Sequence, residues 1–186
     1  MNNRTTRNSL LSEEVQARFT LTIRGTYMRL PLLDRKRKPI AWISTQWKEI
    51  QLLPFLKKGN CLASCFGKRR CSTLLYNSHT IQGERPYLII TLGIPPVWRL
   101  WQYGFDDVIG LLFGQINKQQ LNFIDSVVHR NGTLWLLSDG TDVAMRICVE
   151  LRKRLASIRY TQHRYTPYTK LVNSSREQVQ KLFSCA

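Results

Sequence analysis

The sequence predicts a single α+β domain in which a curved antiparallel β-sheet is backed by three α-helices. Three observations support this fold class. Asn131-Gly132 separates two runs rich in β-formers, and Asn-Gly favours a hairpin because a type I′ turn needs positive φ at both central residues. The apolar run 87–92, bounded by proline and glycine, predicts a central strand. Apolar residues at every fourth position from Val143 to Leu155 predict a helix with one buried face.

The first part of the chain predicts a tail, a strand and a helix. Residues 1–15 are polar and predict a disordered basic tail, and residues 16–186 predict the folded domain. Apolar and polar residues alternate over 17–24, which predicts a half-buried strand. The first of the three helices is expected to start near Ser44, where the apolar spacing changes to three and four.

The second part of the chain predicts the two remaining backing helices, an edge strand and a final helix. One helix is expected to start near Val97, after two prolines, and to carry an apolar stripe through Phe113. Another is expected to start near Thr141, which can cap it. Residues 157–160 predict an edge strand, and residues 174–183 predict a short last helix.

The predicted hairpin has a basic tip. A two-residue loop would pair Arg130 with Thr133, and it would pair Val128 with Trp135 on one face of the ribbon. Arg130 would then stand at the hairpin tip, where a loop can face a ligand.

The charge of the chain indicates a polyanionic partner. The 28 Lys and Arg residues outnumber the 12 Asp and Glu residues, giving a net charge of +16 and a pI near 10.2. Such a surplus favours nucleic acid first and an anionic membrane second. No apolar run approaches the roughly 18 residues of a membrane span, and the first eight residues lack the apolar core of a secretory signal. These features predict a cytoplasmic or nuclear protein without a membrane partner.

The cysteines offer one candidate metal cluster. The five cysteines are an odd number, which favours reduced thiols. Cys61, Cys65, Cys71 and His79 lie close together in sequence, but only the first pair has the spacing of a structural zinc site. Small, half-buried thiols are therefore the favoured interpretation, and neither a metal nor a cofactor is predicted.

Four sequence strings, in this order and spacing, resemble the messenger-RNA cap-binding family of translation initiation factor 4E. Residues 87–92 look like that family's Trp-Leu-Ile-Thr-Leu strand, and residues 105–114 are similar to its central helix ending in Ile-Gly. Residues 127–132, Val-Val-His-Arg-Asn-Gly, look like its Val-Val-x-x-Arg hairpin. Residues 160–163 and Lys170 are similar to its Tyr-Gln-Ser-His tail with a downstream lysine.

The resemblance implies a site for a methylated guanine between two aromatic rings. Tyr27 and Tyr76 match the two stacking tryptophans, and each ring would contribute about 0.5–2 kcal/mol through its attraction for a cationic base. Asn77 stands where the family has an acid at the base edge, and the nearby Glu84 could take that role. Ordinary half-exposed tyrosines are the equally weighted alternative.

The resemblance also implies a phosphate site and a partner site. Arg85, Arg130 and Lys170 match the cations that hold the triphosphate of the cap. On the opposite surface, Ile43, Trp47 and Asp107 match positions where the family docks a short helix of a scaffold protein. A core role for Trp47 is the alternative.

Three functions compete at this point. The first is a cap-binding translation factor, a binding module and not an enzyme. The second is a sequence-tolerant nucleic-acid-binding protein, viral or regulatory, without cap recognition. The third is a nuclease or other nucleic-acid enzyme that uses Asp106, Asp107 or Glu84 with a metal ion. The first two are favoured because the sequence shows no Gly-rich phosphate loop and no marked Ser/His/Asp or Cys/His arrangement.

Overall fold

The chain folds into two β-sheets with helices packed around them. The computed structural model describes residues 11–46, 73–138, 140–155, 160–165, 171 and 173–183. The three-stranded sheet is antiparallel and is formed, in order, by β1 (Thr22–Arg24), β2 (Tyr27–Leu33) and β3 (Pro39–Gln46). The five-stranded sheet is formed by β4 (Leu75–Tyr76), β5 (Arg85–Leu92), β6 (Val108–Leu111), β7 (Val128–Ser138) and β8 (Tyr160–Tyr165).

Five α-helices lie in the described part of the chain. They are α1 (Glu13–Phe19), α2 (Pro95–Gln102), α3 (Lys118–Val127), α4 (Asp142–Leu155) and α5 (Arg176–Phe183). None of these described helices is long and apolar enough to cross a membrane. The predicted cytoplasmic or nuclear location stays a prediction.

The larger sheet is mostly parallel, so the predicted curved antiparallel sheet is wrong. Its strand order is β4-β6-β5-β7-β8, and only the short β4 is antiparallel to its neighbour. The physical reason lies in the connections. A helix follows each of β5, β6 and β7, and a helical crossover brings the chain back to lie parallel to the strand before it, whereas a short turn would reverse it.

The predicted hairpin at residues 131–132 is absent, because these residues lie inside the single strand β7. Val127, expected in the hairpin, is the last residue of α3. The register against β5 jumps along β7: Arg85 lies opposite Val128, and Tyr87 lies opposite Thr133. The intervening residues of β7 therefore form a bulge, an irregularity at which a strand bends.

Gly132 is needed for close packing of this bulge. A Cβ on Gly132 would lie 2.8 Å from the carbonyl oxygen of Pro86 and 2.9 Å from that of His129. Glycine marks close backbone approach in a strand as well as turns, and here the first use applies.

The segment 17–24, predicted as one strand, is split between α1 and β1. Ser12 caps α1 by accepting a hydrogen bond from the backbone N–H of Val15 at 3.4 Å, and α1 begins at Glu13, three residues before the predicted domain start. Val15 and Phe19 are buried one helical turn apart. The helix ends where Thr20 takes φ +54°.

The helix predicted from Ser44 is a strand up to the last residue described there. Ser44 lies in β3, where Ala41, Ile43 and Thr45 are buried on alternate positions, the spacing of a strand and not of a helix. Residues 47–72 lie outside the described part of the chain.

The helix predicted from Val97 to Phe113 starts as expected but ends early. It begins at Pro95, where a proline without an N–H fits the first turn. It stops at Gln102 because Gly104 takes φ +90°, and the chain then enters β6, whose four residues are all buried. Of the apolar stripe beyond residue 104, Val108 and Ile109 belong to this buried strand, and periodicity alone does not separate a short buried strand from a helix.

Three predicted elements agree with the structure. The run 87–92 is part of β5, which lies at the centre of the larger sheet. Thr141 caps α4 by accepting a hydrogen bond from the N–H of Ala144 at 3.4 Å. The last helix, α5, is capped by Ser175, whose Oγ accepts from the N–H of Gln178 at 3.3 Å.

The two faces of the larger sheet carry two separate hydrophobic clusters. Along β5, Ile89 packs into one cluster, and Leu88 and Ile90 pack into the other. The first cluster contains buried residues of the three-stranded sheet, α1, α2 and α5. The second contains buried residues of α3 and α4. The three-stranded sheet is thus attached to the larger sheet through one face, which places its other face away from the core.

Candidate nucleic-acid interface

The carboxyl ends of the parallel strands form the first candidate surface. From β5 the chain crosses to β6 on one side, and it later crosses to β7 on the other side of β5. The end of β5 is therefore a topological switch point, the place where open α/β sheets bind their ligands.

The turn after β5 at this edge is apolar and tightly fastened. Leu92 and Ile94 are buried, and Gly93 takes φ +88°. The Gly93 N–H donates to the carbonyl oxygen of Leu111 at 2.8 Å, and the Thr91 hydroxyl donates to the carbonyl oxygen of Gly93 at 3.2 Å. These bonds hold the turn down on the neighbouring strand β6.

The end of β7 supplies the polar groups of this edge. Ser138 is buried, and its Oγ accepts a hydrogen bond from the Gly140 N–H at 3.4 Å. Asp142 is an exposed acid in the first turn of α4, and Asp139 lies outside the described residues. Over the described ranges, no group of three or more His, Cys, Asp or Glu side chains is placed to hold a metal ion.

The outer face of the three-stranded sheet is the second candidate surface. It holds a depression of about 320 Å³ lined by alternate residues of the three strands, namely Thr22, Arg24, Tyr27, Arg29, Trp42 and Ser44, and also by Met28. Among the described residues, Tyr27 is the most exposed of the large hydrophobic side chains, at 59%. The guanidinium carbon of Arg29 lies 4.3 Å from the centre of the Trp42 ring, a close cation–π contact.

A third surface is the cavity between the two sheets and α3. Its volume is about 560 Å³, and it is lined mainly by the turn after β2, the segment before β4 and one face of α3. Arg35 reaches over the ring of Phe123, with 5.1 Å between the guanidinium carbon and the ring centre. Asp34 is occupied within its own turn, because its Oδ1 accepts from the N–H groups of Lys36 and Lys38 at 2.8 and 2.9 Å.

The two tyrosines expected to stack on a guanine are not equivalent. Tyr27 is exposed on β2, whereas Tyr76 in β4 is 6% exposed and accepts a hydrogen bond from Trp98 Nε1 at 2.9 Å. Burial raises the pKa of Tyr76 far above its ordinary value. The Phe19 ring stacks beside the Tyr76 ring with 5.9 Å between ring centres and 24° between ring planes, so a neighbouring side chain already packs against Tyr76.

Asn77 is also a buried structural residue. Its Nδ2 donates to the carbonyl oxygen of Val108 at 2.9 Å, and its backbone takes φ +66°, a conformation that asparagine adopts more readily than most residues. It joins the segment after β4 to the start of β6. This position has no open side that could contact a base edge.

Arg85 and Asp107, assigned above to two different sites, form an ion pair. Arg85 Nε lies 3.1 Å from Asp107 Oδ1 at the start of β5. Burial raises the pKa of Asp107, and Arg85 opposes this rise. Arg85 is therefore held by a carboxylate in this structure.

The raised pKa of Asp107 predicts a pH-dependent stability. A carboxyl whose pKa is higher in the folded than in the unfolded protein binds its proton more tightly in the folded protein. Its contribution to the free energy of unfolding therefore falls as pH rises through the folded pKa. We expect Asp107→Asn to flatten the slope of unfolding free energy against pH from about pH 4 upward, measured by urea unfolding at a series of pH values. The exposed neighbour variant Asp106→Asn is the control. An unchanged slope in Asp107→Asn would contradict the raised pKa of Asp107.

The remaining predicted residues are dispersed. Arg130 is exposed in the bulge of β7, and Glu84 is exposed just before β5. Ile43 is fully buried in β3, so it does not present itself to a partner helix. Trp47 and Lys170 lie outside the described part of the chain, and their roles stay predictions.

The candidate zinc cluster falls mostly outside the described residues, since Cys61, Cys65 and Cys71 are not among them. His79 is half-buried beside β4, and burial together with the charge of Arg18 lowers its pKa. The preference for reduced thiols over a zinc site stays a prediction.

Most of the second surface was not predicted from the sequence. Arg24, Arg29 and Trp42 were not selected, because no hairpin was predicted after the strand at residues 17–24 and a helix was predicted from Ser44. A usable signal exists: Arg24 pairs with Tyr27 across a two-residue Gly25-Thr26 loop, and Gly25 takes φ +60°. Glycine at the first central position is typical of a type II′ hairpin.

Comparison with known proteins identifies the fold. The chain is similar to a DnaG primase catalytic domain bound to single-stranded DNA, with a TM-score of 0.68 and 14% identity over 93% of this chain and 70% of that one. It is similar to the catalytic core of E. coli primase, with a TM-score of 0.66 and 14% identity over 92% of this chain and 68% of that one. It is also similar to the primase fragment of the bacteriophage T7 primase-helicase protein, with a TM-score of 0.61 and 14% identity over 93% of this chain and 67% of that one. No family model and no curated protein matches the sequence.

These likenesses define a primase-type fold and correct the earlier interpretation. The resemblance to the cap-binding translation initiation factor family is wrong, because the matching structures are primase catalytic cores and the larger sheet of this chain is mostly parallel. The expectation of a translation factor with a messenger-RNA cap and a scaffold protein as partners is wrong on the same finding. The expectation of a protein that is not an enzyme is wrong for this fold as well, since the matching domains are catalytic.

Proposed function

We propose that the chain is a primase-type domain that binds DNA. The observation that carries the proposal is the match over 93% of the chain to a primase catalytic domain bound to single-stranded DNA. Related domains of the Mycobacterium tuberculosis primase are known in complex with double-stranded DNA. Since a fold alone does not define a function, a property of this chain must agree with it, and the net charge of +16 does.

The described basic residues supply surfaces that suit a phosphate backbone. Arg152, Lys153 and Arg154 are exposed in the last turn of α4. The turn after β2 exposes four consecutive basic residues at 35–38, and Arg130 is exposed on β7. Solvated lysines and arginines gain from phosphate contact because binding releases condensed counterions from the DNA.

Primer synthesis is the second candidate function, and the similarity to catalytic cores favours it. Polymerases use two metal ions to hold the attacking and leaving oxygens, and carboxylates usually bind such ions. The described residues do not fit such a site: the edge after β5 carries Leu92, Gly93 and Ile94, and Asp142 is the acid seen at the start of α4. Incorporation of labelled ribonucleotides on a single-stranded DNA template tests this candidate, and the absence of any product would reject it.

DNA binding predicts a steep dependence on salt. We expect a fluorescently labelled single-stranded oligonucleotide to bind with an affinity that falls linearly on a log–log plot against salt, with a slope of about −0.7 per phosphate contacted. Fluorescence anisotropy at four or more salt concentrations measures this slope. A neutral morpholino oligomer of the same base sequence is the control and should bind far more weakly, since it carries no phosphate charge.

Two results would reject the proposal. One is an oligonucleotide that fails to bind even at low salt. The other is an affinity that is the same at every salt concentration, because a partner without phosphates would then be indicated.

Addition of a free methylated cap analogue should displace the oligonucleotide no better than an unmethylated guanine nucleotide does.

A further inference from the structure

We propose that the outer face of the three-stranded sheet stacks the unpaired bases of single-stranded DNA. In this proposal Tyr27 and Trp42 provide the stacking surfaces, and Arg24 and Arg29 contact the phosphates between the bases. The inference rests on the proposed function, because it assigns a place and a chemistry to part of the DNA binding proposed above.

The strand register brings the aromatic and basic side chains together on one face. Arg24 lies opposite Tyr27, and Arg29 lies opposite Ser44. Trp42 lies opposite Pro31, two positions along β2 from Arg29, and so reaches it diagonally. Residues directly opposite in an antiparallel pair have Cβ atoms about 4.5–5.5 Å apart, so these side chains form one continuous surface.

The opposite face of the same strands anchors this surface. Met28 and Leu30 of β2 are buried, as are Ala41 and Ile43 of β3, and all four pack into the first hydrophobic cluster. The outer face is therefore carried by a rigid, well-packed sheet. Rigid elements hold binding groups in place better than loops do.

The exposure of these aromatic rings has no structural reason in the core. Tyr27 is 59% exposed, and Trp42 is half-buried on the face turned away from the cluster. Burying a tyrosine or a tryptophan removes roughly 150–250 Å² of side-chain surface from water. This burial stabilises a fold, so large aromatic side chains are usually found in the core. Large aromatic side chains left on a surface beside arginines are typical of a recognition site.

The chemistry of the face fits bases and phosphates. Every nucleic-acid base has a π-face, so a tyrosine or a tryptophan can stack any of them regardless of sequence. The Arg29 guanidinium already lies 4.3 Å from the Trp42 ring centre and covers one face of that ring, so a base would stack on the Arg29–Trp42 pair and not on a bare ring. A planar guanidinium can both stack and donate two hydrogen bonds to a phosphate.

Charge selects an anionic ligand for this depression. Two of the residues that line it are arginines, and none of the residues lining it is acidic. Its volume of about 320 Å³ lies at the lower end of small-ligand pockets, which suits one base at a time better than a folded protein segment. A duplex hides its base faces within its own stack, so an unpaired strand is the form that this surface can bind.

The test compares ring-removal variants on two oligonucleotides. Tyr27→Ala and Trp42→Ala should each weaken binding of a single-stranded thymidine oligonucleotide about tenfold, as expected for the loss of one base–aromatic stack. Tyr27→Phe keeps a ring and should bind nearly as the unchanged protein does. Binding of an abasic oligonucleotide with the same number of phosphates should be the same for all of these proteins, because it offers no base to stack.

Matched controls separate the stacking platform formed by Tyr27 and Trp42 from general effects of substitution. Val149→Ala removes another exposed apolar side chain, 58% exposed on α4, and should leave both affinities unchanged. Because Trp42 is half-buried, Trp42→Leu tests the same loss with more of the packing retained, and far-UV circular dichroism verifies that each variant is folded. Arg24→Ala should weaken both oligonucleotides and lower the salt slope.

The outcomes distinguish this inference from the proposed function. If the oligonucleotides bind with a steep salt dependence but Tyr27→Ala and Trp42→Leu bind the thymidine oligonucleotide as the unchanged protein does, the platform is rejected and DNA binding stands. If neither oligonucleotide binds the unchanged protein, both proposals fail. A tenfold loss on the thymidine oligonucleotide with no loss on the abasic one supports the platform.

Discussion

Trp98→Ala is expected to lower the free energy of unfolding by about 3–5 kcal/mol, the range for removing a fully buried tryptophan. Trp98 is completely buried in the first hydrophobic cluster, where α2 packs on the larger sheet. Its Nε1 donates to the Tyr76 hydroxyl at 2.9 Å, and the Phe19 ring centre lies 6.3 Å from its own. The substitution leaves a cavity and also removes the donor to a buried hydroxyl, so both effects destabilise the protein.

Urea unfolding followed by far-UV circular dichroism measures this loss independently of tryptophan fluorescence. Tyr76→Phe is the matched variant: it keeps the ring volume and leaves only Trp98 Nε1 without its acceptor. Its expected loss is smaller, about 1–3 kcal/mol. If Trp98→Ala loses less than Tyr76→Phe, the pair is not the core contact described here. The same pair shows why Tyr76 cannot stack on a ligand, since that would require breaking this contact.

The sequence predicted elements that depend on local signals. β5 was predicted because it is an apolar run between a proline and a glycine, and α4 was predicted because a capping threonine precedes a four-residue apolar period. α5 was predicted from Ser175 and its neighbours for the same reason. In each case the residues that decide the structure lie within one element.

The topology could not be predicted, because it depends on residues far apart in the chain. Asn131-Gly132 has the composition of a hairpin turn, but its environment is decided by Pro86, whose carbonyl oxygen would lie 2.8 Å from a Cβ at Gly132. The pairing of β5 with β6 and β7 on its two sides is likewise a long-range property. An order of strands and helices alone does not distinguish a parallel sheet from an antiparallel one, and so it gave the wrong family.

The candidate interface was predicted in part. Tyr27 was selected as a stacking residue and is exposed, and its role in binding stays a prediction. Its predicted partner Tyr76 is in the core, whereas Trp42 of the adjacent strand shares its face. The period-two alternation of β3 would have placed Trp42 on the outer face, but the spacing of Ile43 and Trp47 was interpreted as helical instead. The helical interpretation therefore replaced the strand β3, and Trp42 was not selected as the neighbour of Tyr27.

Gly110 lies in β6 at the switch-point edge, and its substitution is the second prediction with a large expected effect. A Cβ at this position would lie 2.5 Å from the carbonyl oxygen of Gly93 and 3.1 Å from Val97 Cγ2. The first contact is with backbone, which a hydrogen bond from the Gly93 N–H to Leu111 holds against β6 at 2.8 Å. The turn between β5 and α2 would therefore have to move away from the sheet to admit a methyl group.

We expect Gly110→Ala to lower the free energy of unfolding by about 1–3 kcal/mol, the range for overpacking a core, and to lie near its upper end because the contact is with a fixed carbonyl. Gly114→Ala is the matched control. Its new Cβ would lie 3.1 Å from Val143 Cγ1, the end of a half-buried side chain that can give way, so its loss should be much smaller. Urea unfolding of both variants measures the difference. Equal losses would mean that the turn after β5 is free to move, and the tight edge described at the switch point would then be wrong.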